Sequence, residues 1–525
     1  MTELLTIKEA SKWASKHLKK DVSTSNISYL IQYGKVKKHG HNGTTAINKY
    51  ELIEYYNSYN GKREANWREK LGEDLNWDLS FDEIKEKETT KHVHRLHPYK
   101  GKFIPQLVEY FIDEHKDNFK KEKYFEKGDI ILDTFSGSGT TLVQANELGL
   151  HAIGVDISAF NNLISNVKVE RFELHELKNE ISKITSSLKE FISKHNNTKF
   201  ENELLGELNI FNKKYFPSPE YKRKVSKKEI IEKEYASQKE KDFAKIFNKL
   251  KNKYQLKIEQ VNSNSFLEKW YLEPVKKEID FTFEHLKKIK NPNTKKIITI
   301  ILSRTIRSCR ATTHADLATL NKPVAHTYYC RKHGKICKPL FSMFSWWERY
   351  SKDTINRLLE FDNLRTNTFQ KCLQGDARNI DILSELSKKD NEFAELVKKQ
   401  KIKGIFTSPP YVGLIDYHEQ HAYAYDLFGF KRNDELEIGP LYKGQGKEAR
   451  DSYIEGIAQV LNNTKRFLKD DYNVFIVAND KYNIYPTIAE KSDMKIVNKF
   501  KRPVLNRTEK DKSAYAEIIF HLKEK

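Results

Sequence analysis

The distribution of apolar and polar positions divides this chain into segments of different character. From about residue 94, short apolar runs alternate with polar loops and helix-length segments. Residues 129–132 predict a buried strand, residues 135–148 a glycine loop followed by a helix, and residues 151–155 the next strand. A further apolar run at residues 402–406 ends in two prolines. Strands that alternate with helices in this way predict an α/β fold.

The first ninety residues follow a different pattern. Residues 1–60 carry apolar positions at helical spacing and a tight-turn signal at residues 41–43. Two short helices, a hairpin and a third helix resemble the winged helix-turn-helix of excisionase-like DNA-binding proteins. The alternative is a small accessory domain without DNA contact. Residues 61–93 are polar and rich in turn residues, which predicts a linker.

A long helical region separates two α/β segments. Residues 171–370 are rich in lysine and have helical periodicity, with charge runs near residues 221–228. Strand-like patterning resumes at residue 371 and continues to residue 525. The simplest organisation is one α/β domain, formed by residues 94–170 and 371–525, that is divided by a large helical insertion.

Composition narrows the class of partner. The chain has 525 residues, a net charge of +20 and an isoelectric point near 9.3. This charge favours a polyanionic partner such as nucleic acid, although a solvated lysine-rich surface would produce it too. No window approaches a membrane span, and four cysteines in so long a chain do not form a disulfide framework. We therefore expect a reduced, cytoplasmic protein without membrane contact; oligomeric state is not predicted.

The glycine loop has the parts of a nucleoside-binding turn. The predicted strand ends at Asp133, and Gly137 and Gly139 allow the backbone to approach a ligand before a helix begins. The loop lacks the lysine of a phosphate-binding P-loop. Asp156 ends the next strand, where a carboxylate can accept both ribose hydroxyls. The pattern fits an adenosine nucleoside and leaves NAD and S-adenosylmethionine as alternatives.

The five residues 407–411 (TSPPY) predict a second site. Two successive prolines fix the backbone and remove two hydrogen-bond donors, so neighbouring carbonyls point outward without a strand partner. The aromatic residue that follows can lie flat against a planar ring. Rigid acceptors beside a stacking surface suit recognition of the exocyclic amino group of a nucleobase.

Together these motifs resemble the S-adenosylmethionine-dependent DNA amino-methyltransferases. The cofactor loop of that family is matched by Asp133, Phe135, Gly137, Gly139, Thr140 and Thr141. Residues 97–105 (HPYKGKFIP) resemble its N-terminal cofactor segment, here carried by Tyr99, Lys102 and Phe103. Residues 375–378 (GDAR) resemble the segment whose acid meets the adenine of the cofactor, with Asp376 and Ala377. The TSPPY form is associated mainly with methylation of cytosine N4.

The resemblance implies a Rossmann-like methyltransferase fold with a seven-stranded mixed sheet, and S-adenosylmethionine as methyl donor. Residues 94–170 would form the cofactor half and residues 371–525 the catalytic half. The helical insertion would be the target-recognition region, because the family places that region between the two sites in this order of motifs. The implied partners are double-stranded DNA and, in function only, a cognate restriction endonuclease.

The resemblance also implies roles in catalysis. Acceptors on the side chain of Ser408 and the carbonyl of Pro409 would hold the amine protons, with Pro410 fixing the turn and Tyr411 stacking on a flipped-out base. The implied reaction is methylation of cytosine N4 in duplex DNA. Adenine N6 methylation is the nearest alternative, followed by an RNA amino-methyltransferase and a non-catalytic DNA-binding regulator. Carbon-5 methylation is disfavoured, since none of the cysteines follows a proline.

A metal site is a separate hypothesis. Cys330, His333 and Cys337 are closely spaced in the insertion, and Cys309 and His314 lie just upstream. Zinc accepts thiolate and imidazole ligands at such spacings. The alternative is that these cysteines are reduced core residues, which leaves the protein without a metal.

Overall fold

The computed structural model describes most of the chain. The described residues are 3–32, 34–40, 45–99, 101–117, 119–258, 265–314, 322–505 and 514–525. The turn predicted at residues 41–43, and Lys100 of the predicted N-terminal cofactor segment, lie outside these ranges.

Strands and helices alternate along much of the described chain. The strands are β1 (Leu4–Thr6), β2 (Ala46–Asn48), β3 (Ile130–Asp133), β4 (His151–Asp156), β5 (Tyr328–Cys330), β6 (Lys335–Cys337), β7 (Gln370–Gln374), β8 (Ile402–Thr407), β9 (Leu468–Ala478), β10 (Met494–Pro503) and β11 (Ala516–Glu524). The helices before β5 are α1 (Ile7–Leu18), α2 (Thr24–Gln32), α3 (Lys49–Asn57), α4 (Tyr59–Leu71), α5 (Glu86–Thr89), α6 (Pro105–Ile112), α7 (Thr140–Glu147), α8 (Ala159–Val169), α9 (Leu174–Ser193), α10 (Asn197–Tyr215), α11 (Glu220–Ser226), α12 (Glu232–Lys253), α13 (Phe266–Trp270), α14 (Glu273–Lys287) and α15 (Pro292–Ser308). Those that follow are α16 (Phe344–Asp362), α17 (Ile382–Ser387), α18 (Asn391–Gln400), α19 (Ala422–Phe428), α20 (Lys447–Lys465) and α21 (Tyr485–Lys491). Short 3-10 turns occur at Asp78–Ser80, His92–Arg95, Glu419–His421, Asp434–Leu436 and Leu441–Lys443.

A seven-stranded mixed sheet forms the centre of the protein, in the order β10-β11-β9-β8-β3-β4-β7. Strand β3 pairs in parallel with both β4 and β8, whereas β11 runs antiparallel to β9 and β10. The α/β prediction with a seven-stranded mixed sheet is thus confirmed. Because the strand order reverses beside β3, a crevice opens at the carboxyl ends of the parallel strands, where α/β proteins bind ligands.

The central strands are apolar because helices cover both faces of the sheet. All four residues of β3 are buried, as are five of the six residues of β8. Two large apolar clusters lie on either side of these strands, one containing Ile131 and the other Ile130 and Leu132. Alternate residues of β3 therefore anchor opposite layers, and its carboxyl end is fixed in position.

The helical insertion packs directly on the α/β domain. Helix α15 of the insertion contacts α8, which follows β4, and both belong to one apolar cluster. Phe160 and Ile164 of α8 share that cluster with Ile298 and Ile301 of α15. The insertion also contains the small antiparallel hairpin β5–β6. A shared core of this size fixes the insertion against the cofactor side of the sheet.

Residues 61–93, predicted as a linker, are folded in the structure. Helix α4 begins before this stretch, and Trp67 and Trp77 are buried against partly buried Leu505 and Ala516. The backbone N–H of Asn76 donates to the carbonyl of Lys501 in β10 at 2.7 Å. Two tryptophans in a polar, turn-rich stretch supply enough apolar area for packing, which the predominance of polar residues concealed.

The N-terminal unit has a small core of its own. Strands β1 and β2 pair in antiparallel fashion, and α1–α3 enclose buried Ala10, Ala14, Ile27 and Leu52. Thr6 begins α1 with a capping box to Glu9. No described helix is long and apolar enough to cross a membrane.

Substituting Gly404 with alanine is expected to destabilise the sheet. Gly404 lies opposite Asn473 of β9, and a Cβ at this position would lie 2.1 Å from the Asn473 carbonyl oxygen and 3.0 Å from Phe125. The two strands must separate to admit a methyl group, so we expect the free energy of unfolding to fall by about 1–3 kcal/mol. Urea denaturation measures this change.

The matched control is Gly206→Ala in α10. No atom lies within 4 Å of a Cβ built at Gly206. Alanine in a helix interior is favoured over glycine, so this variant should gain about 0.5–1 kcal/mol. Equal effects of the two substitutions would contradict the close approach of β8 and β9.

Candidate active site

A cleft with about 830 Å³ of empty space, open to solvent, lies at the carboxyl ends of β3, β4, β7 and β8. Segments that are far apart in the chain meet in its walls. The residues predicted to bind cofactor that line it are Tyr99, Lys102, Phe103, Phe135, Gly137, Thr140, Asp156, Asp376 and Ala377. Ser408 and Pro410 of the TSPPY motif line the same cleft. The structure thus brings the four motifs together at one site.

The glycine loop forms one wall of the cleft. Gly137 and Gly139 both have positive φ angles, of 52° and 73°. A Cβ on Gly137 would lie 3.0 Å from the hydroxyl oxygen of Tyr99, and one on Gly139 would lie 3.0 Å from Ser165. Both positions therefore require glycine for conformation and for space.

Asp156 places a carboxylate in the wall of the cleft. Its Oδ2 accepts the backbone N–H of Gly137 at 2.7 Å, and its Oδ1 accepts the N–H of Ser158 at 2.8 Å and the amide of Asn161 at 3.1 Å. Burial raises the pKa of Asp156 to about 6, against these hydrogen bonds, which lower it. The same carboxylate thus shapes the glycine loop and faces the cleft.

Asp133 lies beneath the glycine loop and is not among the residues lining the cleft. Its Oδ1 accepts the hydroxyl of Thr407 at 2.7 Å and the N–H of Phe135 at 3.2 Å. Burial raises the pKa of Asp133 to about 6. Gly139 and Thr141 are also absent from the lining, and the Thr141 hydroxyl donates to the Phe406 carbonyl at 3.4 Å. Asp133 and Thr141 connect the loop and the helix after it to β8, although the sequence motif predicted all three residues as cofactor contacts.

Asp376 enters the cleft from the end of β7 with a partner of its own. Arg378 donates to both carboxylate oxygens, at distances between 2.6 and 3.0 Å. The backbone N–H of Arg378 also donates to Oδ1, at 3.0 Å, so these bonds together fix the orientation of the carboxylate in the wall of the cleft. Ala377 lies beside it in the wall.

The N-terminal cofactor segment covers another side of the cleft. The Tyr99 ring stacks on Tyr417 and on His421, with ring centroids 6.1 and 5.9 Å apart. Lys102 donates to the carbonyl of His94 at 2.7 Å. Burial and the nearby Arg95 lower the pKa of Lys102 to about 8. Lys102 therefore retains much of its positive charge at neutral pH.

In the TSPPY motif, the residues take up different positions. Ser408 and Pro410 line the cleft, whereas Pro409 is buried and is not among the lining residues. Tyr411 is not in the lining either; its hydroxyl donates to Glu517 Oε1 at 2.7 Å, and its ring packs against an apolar cluster. Glu517, on the closing strand β11, thus fixes the orientation of the predicted stacking residue.

Other residues of the cleft were not predicted as site residues. Glu437 is buried in its wall and is held by the imidazole Nδ1 and the backbone N–H of His418. Asn161 and Tyr417 also line the cleft. Glu437 lies in a loop without a recognisable motif, so the sequence carried no signal for it. Tyr417 follows the TSPPY motif closely, and that proximity was the available signal.

Three polar atoms at the cleft have no protein partner among the described residues. They are Ser138 Oγ, Thr140 Oγ1 and Asn161 Oδ1, all buried. Buried polar groups are normally paired, so these atoms fit a polar ligand. Together with the carboxylates of Asp156 and Glu437, they suit a nucleoside that carries an amino acid, as S-adenosylmethionine does.

Cofactor affinity is expected to depend on pH through Asp156. Its pKa of about 6 means that the carboxylate is ionised above about pH 7 and takes up a proton as the pH falls through about 6. If ribose hydroxyls bind the ionised form, the cofactor dissociation constant should rise by about tenfold per pH unit below 6 and be flat above it. Calorimetric titration with S-adenosylmethionine between pH 5 and 8 would measure this profile.

Asp156→Asn distinguishes the titration of Asp156 from that of Asp133. The pKa of Asp133 is also raised to about 6, so it titrates in the same window. Asparagine cannot titrate, and the weaker binding of this variant should lose its pH dependence. An unchanged profile would assign the titration to Asp133 instead.

The five zinc candidates separate into two groups. His314, Cys330, His333 and Cys337 come together, with one potential ligand atom of each within 4.8 Å of the others. Cys309 does not join them; it is buried in the large apolar cluster. Another cluster of potential ligands, outside the five candidates, consists of buried His92 and His94 with half-buried Glu147, the last residue of α7.

Comparisons with known proteins agree with this site. A family described as DNA methylase matches residues 6–167. The chain is 48% identical to the type II methyltransferase M.MjaII of Methanocaldococcus jannaschii over 525 residues, which cover 99% of this chain and 97% of that protein. The chain is also similar to the type II methyltransferase M.MvaI of Kocuria varians, with 34% identity over 120 residues, which cover 22% of this chain and 24% of that protein. A third relative is the type II methyltransferase M.BsoBI of Geobacillus stearothermophilus, with 37% identity over 81 residues, which cover 15% of this chain and 14% of that protein.

M.MjaII aligns with nearly the whole chain, so the similarity includes the insertion and the N-terminal unit as well as the motifs. The glycine loop, the carboxylates of the cleft and the TSPPY motif lie within this shared length. The chain therefore belongs to the type II methyltransferases of restriction–modification systems, the DNA amino-methyltransferases that use S-adenosylmethionine as methyl donor.

Proposed function

We propose that this enzyme methylates the N4 amine of a flipped-out cytosine in duplex DNA. The observation that carries the proposal is the placement of Ser408, at the end of β8, in the wall of the cleft that also contains Asp156 and the glycine loop. A hydroxyl at the first position of the motif is the form associated with cytosine N4, whereas Asp is more frequent in adenine enzymes.

The proposed cofactor contacts follow the walls of the cleft. Asp156 would accept the ribose hydroxyls and Asp376 the adenine amino group, with Phe135 and Ala377 beside the ring. Tyr99 and Lys102 would close over the amino-acid end, together with the buried hydroxyl oxygens of Ser138 and Thr140. S-Adenosylmethionine, when bound, supplies an electrophilic methyl group on a sulfonium. Asp133 would act indirectly, by holding the loop through Phe135 and Thr407.

Ser408 and Pro409 would activate the amine. The lone pair of an exocyclic amine is delocalised into its ring, which makes the amine a poor nucleophile. Acceptors on the Ser408 hydroxyl and the Pro409 carbonyl would hold its two protons and favour a tetrahedral nitrogen, freeing the lone pair. As the new C–N bond formed, the bond between the methyl carbon and the sulfonium sulfur would break, sulfur would keep the electron pair as a neutral thioether, and one of the amine protons would pass to solvent. Positioning and electrostatics are sufficient for this chemistry, and no covalent enzyme intermediate is required.

Tyr411 would stack on the flipped base. The bond of its hydroxyl to Glu517 and the packing of its ring against an apolar cluster hold the ring in place before the base arrives. Such preorganisation lowers the entropy lost when the substrate binds. Pro410, in the cleft wall, keeps the turn rigid between the two acceptors and the ring.

The insertion, residues 171–370, is proposed to recognise the target sequence. Its exposed lysines would contact phosphates and so fix the register of the enzyme on the duplex. Residues 1–60, with a core of their own, would add a second DNA contact. A restriction endonuclease that cuts the same sequence is the proposed functional partner.

Sequencing of modified bases tests the choice of target atom. The enzyme would be expressed in a host without DNA methylation, beside the same host that carries the Ser408→Ala variant. N4-methylcytosine in a short recurrent sequence, absent with the variant, supports the proposal. Detection of N6-methyladenine would establish the alternative. Absence of both modified bases would refute DNA methylation by this site.

A further inference from the structure

The hairpin β5–β6 holds a cluster of side chains that the proposed reaction does not use. Cys330 ends β5, His333 lies in the turn and Cys337 ends β6. Cys330 pairs with Lys335, so Cys337, two residues further on, lies on the same face of the hairpin. His314, which follows α15, reaches this face from outside the hairpin.

The turn brings the first two ligands together. The backbone N–H groups of His333 and Gly334 both donate to the Cys330 carbonyl, at 3.1 and 2.7 Å. Gly334 has a φ angle of 62°, and a Cβ there would lie 2.9 Å from the side chain of Lys222. This tight turn directs Cys330 and His333 towards one point, and Sγ of Cys337 lies 3.5 Å from Nδ1 of His333.

The set of donor atoms favours one metal in particular. One potential ligand atom from each of the four residues lies within 4.8 Å of the others. Tetrahedral zinc, with bonds of about 2.0–2.3 Å, needs ligand atoms roughly 3.3–3.8 Å apart, which small side-chain rotations would provide. Two thiolates and two imidazoles form a standard structural zinc set, and the two thiolates would neutralise the charge of the ion.

The surroundings orient the ligands. The hydroxyl of Tyr328 lies 2.8 Å from Nδ1 of His314, and a partner on Nδ1 leaves Nε2 available to a metal. Cys330 and Cys337 are 4% and 8% exposed, whereas both histidines are exposed. All four cysteines of the chain are free thiols, so no disulfide occupies these sulfurs.

We propose that His314, Cys330, His333 and Cys337 form a structural Zn²⁺ site. The ion closes a loop between the end of α15 and the hairpin. The hairpin in turn is fixed to α10, because Asn212 exchanges two hydrogen bonds with the backbone of Ile336, at 2.9 and 3.0 Å. Zinc thus links the segment that follows α15 to the hairpin and, through Asn212, to α10.

The test uses the full-length protein, purified without added metal or chelator. Elemental analysis should find about one zinc per chain. Replacement by Co²⁺ should produce the visible absorption of a tetrahedral site with thiolate ligands. Zinc well below one per chain, together with no cobalt spectrum after reconstitution with the metal alone, overturns the proposal.

Variants identify the ligands. Cys330→Ser with Cys337→Ser should abolish zinc content, whereas Cys309→Ala, a buried cysteine outside the cluster, should retain it. His314→Gln removes an exposed ligand and is therefore compatible with folding. This variant should lose its zinc at a concentration of chelator that does not remove zinc from the parent protein. Binding of S-adenosylmethionine, measured on each variant, verifies the fold independently of the metal. Retention of full, equally chelator-resistant zinc by His314→Gln would exclude this ligand set.

Discussion

Replacing Ser408 with alanine is expected to lower kcat by about 10²- to 10³-fold, the usual cost of losing one preorganised polar contact to a reacting group. The Ser408 side chain lies in the cleft, and the hydrogen bonds that shape the glycine loop come from Asp156 and Thr407. The dissociation constant of S-adenosylmethionine should therefore change by less than about threefold. Single-turnover transfer of a labelled methyl group to DNA separates the two quantities.

An exposed serine provides the control. Ser387 on α17 is exposed and donates only to a neighbouring backbone carbonyl, so Ser387→Ala should leave both quantities unchanged. A Ser408→Ala enzyme with full kcat would remove the hydroxyl from the mechanism. Parallel losses of kcat and cofactor affinity would instead point to a disturbed loop.

Replacing Asp156 with alanine should weaken cofactor binding by about 10²-fold. Hydrogen bonds to a charged group contribute about 1.5–3 kcal/mol each, and the carboxylate is proposed to bind the ribose while it holds the N–H of Gly137 at 2.7 Å. A loss of about 3 kcal/mol corresponds to two decades in the dissociation constant. Calorimetry with S-adenosylmethionine measures the change without DNA.

Asp129→Asn is the matched control, because Asp129 immediately precedes β3 and so lies at the amino end of that strand, away from the cleft at its carboxyl end. It should bind cofactor with the affinity of the parent protein. Asp156→Asn preserves the shape of the side chain and one acceptor oxygen, so its loss of affinity should be smaller than that of alanine. Undiminished affinity in Asp156→Ala would exclude this carboxylate as a cofactor contact.

The sequence predicted the centre of the fold well because its strands are buried on both faces. Continuous apolar runs at β3, β4 and β8, each ending at a predicted site motif, leave few alternatives to a parallel sheet. Strand β10 was not predicted. Only four of its ten residues are buried and several are lysines, as is typical of an edge strand, so it lacks both the apolar run and the alternation that identify a strand.

The motifs predicted which segments meet at the site, but not which of their residues face the cleft. Asp133 and Asp156 end neighbouring strands, yet Asp133 is buried, whereas Asp156 is half-buried and lines the cleft. That difference depends on Thr407, which lies in another part of the chain and whose hydroxyl donates a hydrogen bond to Asp133. Cys309 was grouped with the zinc candidates because of its proximity in sequence, whereas the end of α15 turns it into the core.

The hydrogen bond between Asp133 and Thr407 joins residues that are 274 positions apart. When a ribosome has completed β3, β4 and the whole insertion, it has made the glycine loop but not the side chain that holds it in place. Contacts of such large sequence separation carry a high loop-closure entropy and slow the folding of the units that depend on them. Formation of the cofactor cleft therefore waits for β8 to enter the sheet between β3 and β9. Incomplete nascent chains consequently lack the site for methyl transfer.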